Sequence, residues 1–284
     1  MAEATRLKEE GNRHFQQGDF TGAESLYSQA IILDPKNAAL FTNRAMARLK
    51  QSFWDLAISD CADCLKLAPD SFKAHYYMAQ AKAEERFDLD GALAHATRAH
   101  QLCVAAGDRS LPKYAELVLR CKKDRWEDRE RRREREDVRL EAEVLALLGR
   151  ERDGELEALR AEGGGGDDGD GGGDEAVRHM VTEDYAAKAK QIADVFERSR
   201  SAAAKRRAVP DWAIDDIGFG FMVDPVITKT GKSYERATIM EHLRRHPTDP
   251  LTREPLRPSD LRPNIGLKQA CDEFLDENGW AADW

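Results

Sequence analysis

Residues 33–49 read LDPKNAALFTNRAMARL, and residues 67–83 read LAPDSFKAHYYMAQAKA. In each stretch a helix ends at Asp-Pro or Ala-Pro and the next helix begins, because proline lacks the N–H that would continue the ladder and clashes with the preceding turn. The two stretches start 34 residues apart, which is the period of a stacked helix pair. The same grammar extends backwards to Gly11, Ala23, Tyr27, Ala30 and Pro35, and Ala57 and Pro69 follow Ala23 and Pro35 at that period. The small residues let two helices approach closely, while Tyr27, Phe41 and Tyr76 fill the wider gaps. A third copy, FDLDGALAHATRAHQL (87–102), holds one extra residue before Ala92. Three helix pairs are predicted between about residues 4 and 105, with a capping helix from roughly Pro112 to Trp126.

Composition narrows the function classes. The chain of 284 residues is 41% hydrophobic and 34% charged, more than one ordinary domain and rich in exposed helix. It begins with MAEATRLKEEGN, which has no apolar core, and it holds no run of about 18 apolar residues, so neither a secretory signal nor a membrane span is expected. Five cysteines, sparse and odd in number, suit a reducing compartment: the cytoplasm, with the nucleus as a second location. A net charge of -9 argues against nucleic acid as a partner. The basic run RERRRER (129–135) does not change that, since acids interleave its arginines and make it a solvated helix face.

Around that run, residues 126–160 are helical by composition, with opposite charges at i,i+4 spacing. The apolar residues Val138, Val144, Leu145, Leu147, Leu148, Leu156 and Leu159 gather late, and such a stripe needs a partner. A second copy of the chain or the helix predicted over 175–206 would serve. The tract GGGGDDGDGGGD (163–174) reads as a flexible acidic linker between the two helices.

From Val209 the texture changes to short strands, proline-bounded loops and two helices. In MVDPVITKTGKSYERATIMEHL (222–243) an apolar strand, a Thr230-Gly231 turn, a strand through Tyr234 and a helix with Ile239, Met240 and Leu243 on one stripe follow each other. With Asp224-Pro225, Gly231, Tyr234-Glu235, Asp249-Pro250-Leu251-Thr252, Pro255-Leu256 and Arg262-Pro263-Asn264, this order resembles the U-box, the zinc-free relative of the RING domain. Two zinc sites need eight ligands, and the region has only Cys271, His242 and His246 besides its acids, so no metal and no cofactor is expected. Seven prolines between Pro210 and Pro263 and polar cross-bracing would hold the loops instead. The resemblance implies a ubiquitin-protein ligase that recruits a charged ubiquitin-conjugating enzyme and supplies no covalent nucleophile. It assigns Ile217 and Phe219 to the first docking loop, Pro250 and Arg253 to the second, and His242 to the intervening helix. Arg253 would promote transfer, its planar donor fork bridging the conjugating enzyme and ubiquitin. Cys271 reads as a packing residue rather than a carrier of ubiquitin, because Asp272 and Glu273 would raise its thiol pKa. Cys61 and Cys64 occupy inward repeat positions and read as core filling; His95 and His100 read as surface or packing residues rather than ligands.

The N-terminal repeats are similar to the tetratricopeptide repeat (TPR), a solenoid with a concave groove lined by the first helix of each unit. Lys8, Asn12, Asn43 and Lys73 match that family's carboxylate clamp, which implies binding of a Glu-Glu-Val-Asp chaperone tail. Tyr77 stands where many clamps carry a base and suggests an aromatic contact. Taken together, the chain resembles the chaperone-associated ubiquitin ligases and is expected to be mainly α. The expected order is a TPR solenoid (1–126), a charged helical or coiled-coil dimerisation region (127–206, linker 163–174) and a small α+β U-box (207–284). The partners so implied are heat-shock chaperones of the 70- and 90-kDa classes, ubiquitin-conjugating enzymes, misfolded clients and a second copy of the chain. A non-catalytic chaperone adaptor or regulator is the alternative.

Overall fold

The computed structural model describes residues 2–163, 172–203 and 208–284. The chain is mainly helical and forms two compact units, one of Met1–Glu127 with Val209–Trp284, the other of Asp128–Ala208.

In the first unit, α1 (Ala2–Gln16), α2 (Phe20–Leu33), α3 (Ala38–Lys50), α4 (Trp54–Leu67), α5 (Phe72–Glu85) and α6 (Leu89–Ala106) make three successive antiparallel pairs. The turn inside each pair contains one left-handed residue: Gly18, Ser52 and Arg86, with φ of 82, 62 and 58°. These keep the period, so the extra residue of the third copy enters between Arg86 and Leu89, where Phe87 is looped out and 90% exposed. Ala23, Ala57 and Ala92 are all fully buried at the equivalent inner position, as are Ala30, Cys64 and Ala99. Gly11 is needed for close approach: a Cβ there would lie 2.7 Å from the ring of the buried Tyr27. Across the α2–α4 layer, Arg44 and Arg48 bond the buried Asp60 at 2.6 and 2.9 Å, and Arg48 also reaches Glu24 at 2.8 Å. Burial pushes Asp60 up in pKa against the pull of those two guanidiniums.

The capping helix expected near residues 112–126 is the start of a longer element. α7 runs from Leu111 to Gly163 without interruption. Neither proline nor glycine interrupts residues 113–148, so nothing in the covalent chain ends the helix where the apolar composition gives way to charge.

The remainder of this unit is α+β. Strands β1 (Pro225–Ile227), β2 (Ser233–Glu235) and β3 (Arg262–Pro263) form an antiparallel sheet in the order β2-β1-β3, joined by α9 (Arg236–Arg245) and followed by α10 (Ile265–Glu277). Gly231 turns the hairpin at φ 85°. Val226, Tyr234, Ile239, Leu243 and Leu256 make the core. The expected single stripe on α9 divides in two: Ile239 and Leu243 enter that core, while Met240 faces the α6–α7 turn across a cavity of about 130 Å³. The motif Arg262-Pro263-Asn264 closes the sheet, since Asn264 donates its amide to Pro225, caps α10 at Leu267 and bonds Ser233.

This module packs on the first turns of α7. Val223 and Ala237 join the cluster of Tyr76, Tyr114, Val118 and Cys121. Lys122 pairs with Asp272 at 2.5 Å, Arg125 with Asp276, and Lys123 with Asp283. The Trp126 indole donates to the carbonyl of Glu277 at 3.0 Å. It lies so close over Gly279 that a Cβ there would come within 2.3 Å of it. His100 is buried in the same interface, its Nε2 without a hydrogen-bond partner; burial first, then Lys268 and Arg236, lower its pKa to about 4 against the pull of Asp224.

In the second unit, the later part of α7 pairs with α8 (Gly172–Ala203). Val144 and Leu148 line an apolar cleft of about 520 Å³ with Ile192, Val195 and Phe196. Tyr185 is buried and hydrogen-bonds Glu155. Ion pairs such as Arg139–Glu143 at 2.8 Å and Lys188–Asp184 at 2.7 Å lace the faces at i,i+4. Most of the predicted linker 163–174 lies outside the described residues.

Candidate functional site

Two loops of the U-box module carry four of its five expected docking residues, and they are built the same way. In the first, the Asp215 amide bonds the Gly220 carbonyl at 2.9 Å and the Phe219 amide bonds the Asp215 carbonyl at 2.8 Å. In the second, the Asp249 amide bonds the Glu254 carbonyl at 2.8 Å and the Arg253 amide bonds the Asp249 carbonyl at 2.9 Å. Each loop thus closes on an aspartate, and in each the residue four places on is left-handed: Phe219 at φ 55° and Arg253 at φ 62°. Non-glycine residues are uncommon there, and where they cluster the surrounding structure over-determines them.

The two aspartates do that over-determining. Asp215 is 1% exposed; its carboxylate accepts from the amides of Gly218 at 2.6 Å and Glu235 at 2.9 Å and from the Thr238 hydroxyl at 2.7 Å. Asp249 is 2% exposed and accepts from the amides of Leu251 at 2.8 Å and Thr252 at 3.2 Å and from the Thr230 hydroxyl at 3.0 Å. Burial raises the Asp249 pKa, but those donors outweigh it and hold the carboxyl below its ordinary range. A third carboxylate, Glu235, caps α9 and accepts from the amides of Val223 and Asp224, both at 2.8 Å. Its burial pushes its pKa up to about 7 despite those amides. Asp224 ties the far side, bonding Arg236 at 2.7 Å and Lys268 at 3.4 Å. Carboxylates and backbone amides therefore brace both loops. Among the described residues no group of three or more His, Cys, Asp or Glu side chains is placed to hold a metal ion.

What the loops present is apolar and open. Phe219 is 74% exposed and Leu251 69% exposed. Ile217 and Pro250 are half-buried beside them and Arg253 is exposed. His242 is half-buried on α9, its Nε2 facing the Thr248 carbonyl at 2.9 Å, so its ring fixes the entry of the second loop. The sequence marks Leu251 only as part of the Asp249-Pro250-Leu251-Thr252 motif and not as a docking residue; its place in a Pro-Leu-Thr turn after a buried aspartate is the signal that could have found it. Cys271 is fully buried, and burial followed by Asp272 and Glu235 pushes its thiol up to about 12, which makes it a poor nucleophile. Cys61 and Cys64 are likewise buried, with raised thiol pKa values.

The groove is assembled differently. Lys8 precedes Asn12 by one turn of α1, and the structure brings Asn12 against Asn43 of α3: Asn12 Oδ1 accepts from Asn43 Nδ2 at 3.2 Å and from the Tyr27 hydroxyl at 2.8 Å. With its oxygen doubly occupied, both N–H donors of Asn12 remain available. Lys73 is exposed in the first turn of α5. Tyr77 is turned inward, its hydroxyl on Met46 Sδ at 3.0 Å and its ring edge-on to Tyr76 at 5.6 Å. The half-buried ring, not the hydroxyl, is what a ligand could touch. His95 is half-buried against His75, their Nδ1 atoms 2.8 Å apart.

Comparison with known proteins agrees with this geometry. The U-box domain family matches residues 209–280 and the TPR repeat family matches residues 11–52. The chain is 31% identical over 283 residues to the E3 ubiquitin-protein ligase CHIP of Arabidopsis thaliana, covering 99% of this chain and 96% of that protein. U-box domain-containing protein 12 of Oryza sativa subsp. japonica is 37% identical over 103 residues, 35% of this chain and 16% of that protein. Among solved structures, the first TPR of Spaghetti (RPAP3), bound to an HSP90 peptide SRMEEVD, is 29% identical and covers 41% of this chain and 94% of its own, with a TM-score of 0.36. A likeness that runs through both chains nearly end to end, on a solenoid and a carboxylate-braced U-box, leaves one conclusion: the chain belongs to the CHIP family of E3 ubiquitin-protein ligases.

Proposed function

We propose that the groove holds the acidic C-terminal tail of 70- and 90-kDa heat-shock chaperones while the U-box recruits a charged ubiquitin-conjugating enzyme, so that misfolded clients on the chaperone are marked for degradation. The observation that carries this reading is the pair of aspartate-closed loops, which hold Phe219 and Arg253 in left-handed conformations on an open apolar face. An exposed phenylalanine and leucine on a rigid frame make a preformed docking patch. Ile217, Pro250 and His242 complete it, and the Arg253 guanidinium, free of any carboxylate within the described residues, orients the thioester of the partner enzyme. Transfer then passes from the conjugating enzyme directly to a substrate lysine, which the buried Cys271 thiol is consistent with.

In the groove, Lys8, Lys73, Asn12 and Asn43 supply two ammonium groups and two amides to the two carboxylates of a C-terminal aspartate, with Tyr77 as an aromatic side contact. Each charge-assisted bond contributes about 1.5 to 3 kcal/mol. Val138, Leu140 and Leu147, about half exposed in the second unit, are the apolar surface of a homodimer, and cytoplasm and nucleus are its compartments.

A reconstituted reaction with the full chain, a panel of conjugating enzymes, ubiquitin and a tail-bearing chaperone tests this. Arg253→Ala is expected to abolish chain formation without unfolding the protein, and Lys8→Ala to weaken tail binding about tenfold or more, or ~1.4 kcal/mol. Chain formation unaffected by Arg253→Ala would reject the role given to Arg253, and no chain formation by the unaltered chain with any conjugating enzyme would leave a chaperone adaptor instead.

A further inference from the structure

Among the described residues, two buried side-chain polar atoms lack a hydrogen-bond partner, His100 Nε2 and Arg125 Nε. They come from different helices, α6 and α7, and both residues line one cavity of about 260 Å³ that α10 also borders. Buried polar groups are nearly always satisfied, so two orphans on one cavity ask for a shared partner. The protein side constrains what that partner is. A guanidinium stays protonated throughout the physiological range and has no lone pair to offer, so Arg125 Nε only donates. The rest of its fork is engaged by Asp276 and lies 3.6 Å from Asp90. His100 is 3% exposed and, with its pKa lowered to about 4 chiefly by burial, is neutral at physiological pH; its Nε2 donates in one tautomer.

Charge points the same way. The cavity is lined by three cations, Lys122, Arg125 and Lys268, and by two carboxylates, Asp272 and Asp276. Lys122 and Arg125 take up those two carboxylates. Lys268 reaches only Asp224 among the described residues, at 3.4 Å, and Arg236 already holds that carboxylate at 2.7 Å. The lining therefore carries one positive charge more than it neutralises. Val118 and Val223, both buried, form part of the wall, and an apolar wall strengthens a charge interaction made against it.

We propose that this cavity binds a small oxyanion free in solution, inorganic phosphate or the phosphoryl group of a small phosphate monoester, with His100 Nε2, Arg125 Nε and the Lys268 ammonium as its donors. Three donors from three helices suit an anion with three or more acceptor oxygens, whereas a carboxylate has two. A second cavity of about 300 Å³ borders the first at His100 and Lys268 and takes the organic part of a monoester. The ligand joins α6 and α7 of the solenoid to α10 of the U-box module. None of the groove residues or docking-loop residues lines the cavity, so the site stands or falls apart from the proposed function.

The test is calorimetric titration of the full chain with inorganic phosphate and with glycerol phosphate, ionic strength being held constant with sodium chloride. Saturable binding of one anion per chain is expected, with a melting temperature that climbs with anion concentration. Arg125→Lys keeps a charge opposite Asp276 and removes the Nε donor; His100→Phe keeps an aromatic ring and removes the other donor. Each should weaken binding about tenfold. Lys123→Gln, whose ammonium pairs with Asp283 outside the cavity, should leave binding unchanged. On the unaltered chain, the imidazole nitrogen resonances of His100 should move at saturation. No saturable binding of either anion, which would mean that water alone meets the two nitrogens, overturns the site. Binding that survives Arg125→Lys undiminished, or that leaves the His100 resonances in place, overturns it too and marks an adventitious ion only.

Discussion

The groove and the docking face bring side chains to a ligand by opposite means. In the groove, Asn12 and Asn43 come from two helices of a periodic stack, and the distance between them is set by how closely Gly11 of α1 and Ala47 of α3 let their helices pack on Tyr27 of the intervening α2. On the docking face, Phe219 and Arg253 come from loops that would have no fixed shape without a buried carboxylate inside each. Regular elements position residues through backbone hydrogen bonds common to every sequence; loops must find donors and acceptors in particular side chains. A docking face of this kind is accordingly more sensitive to single substitutions away from the surface it presents.

The two loops should also differ from each other, and this is where the largest effect is expected. Asp215→Ala leaves the amide of the buried Glu235 without a partner, a cost of about 2 to 5 kcal/mol with the other donors counted. Asp249→Ala frees the amides of Leu251 and Thr252, both exposed residues whose N–H groups water can reach, at about 1 to 2 kcal/mol. Denaturant unfolding of the full chain, followed by the fluorescence of its five tryptophans, of which Trp212, Trp280 and Trp284 lie in the U-box, separates the two; equal losses would mean the loops are braced alike.

Next comes a pH effect confined to the U-box. The Glu235 carboxyl is raised in the folded state from 4.5 to about 7. Its contribution is fully present below pH 4.5 and is lost as pH rises through 7, on the order of 3 kcal/mol. Measured from pH 4.5 to 8, the stability of wild type relative to Glu235→Gln should fall with rising pH. A difference that stays flat would show that the three backbone amides fully offset the burial.

The smallest effect concerns strain. Phe219→Gly and Arg253→Gly remove a left-handed non-glycine residue, which costs about 1 to 2 kcal/mol, and add glycine's chain entropy, about 0.5 to 1 kcal/mol. Stability should stay level or rise by up to about 1.5 kcal/mol while ubiquitin transfer falls, so thermal melts hold or rise where activity is lost. A clear loss of stability would mean that these side chains pack as well as dock.

How much of this was legible depended on range. The repeat period placed Lys8, Asn12, Asn43 and Lys73 on first helices, and the Asp-Pro, Tyr-Glu and Arg-Pro-Asn motifs delimited the U-box. The seat of Lys113 over the Tyr76 ring was not legible, because a period places residues within repeats and says nothing of the helix that follows them. Asp215 stood unremarked between Ile214 and Asp216, since burial of a carboxylate leaves no mark on its neighbours in the chain. Met240 looked like a third member of the Ile239 and Leu243 stripe; it faces α6 and α7 because another module lies there.

From its sequence alone, the chain determined the helices, their 34-residue period, the order of its modules and the absence of enough thiols and imidazoles in its U-box for two zinc ions. Only the tertiary structure decided that α7 runs on unbroken from the cap, that Trp126 seats over Gly279 more than 150 residues away, and that Lys113 lies over the Tyr76 ring. Periodicity and turn chemistry act between neighbours, and so they are written locally. Contacts between distant elements follow from which surfaces remain to be buried once the local structure has formed.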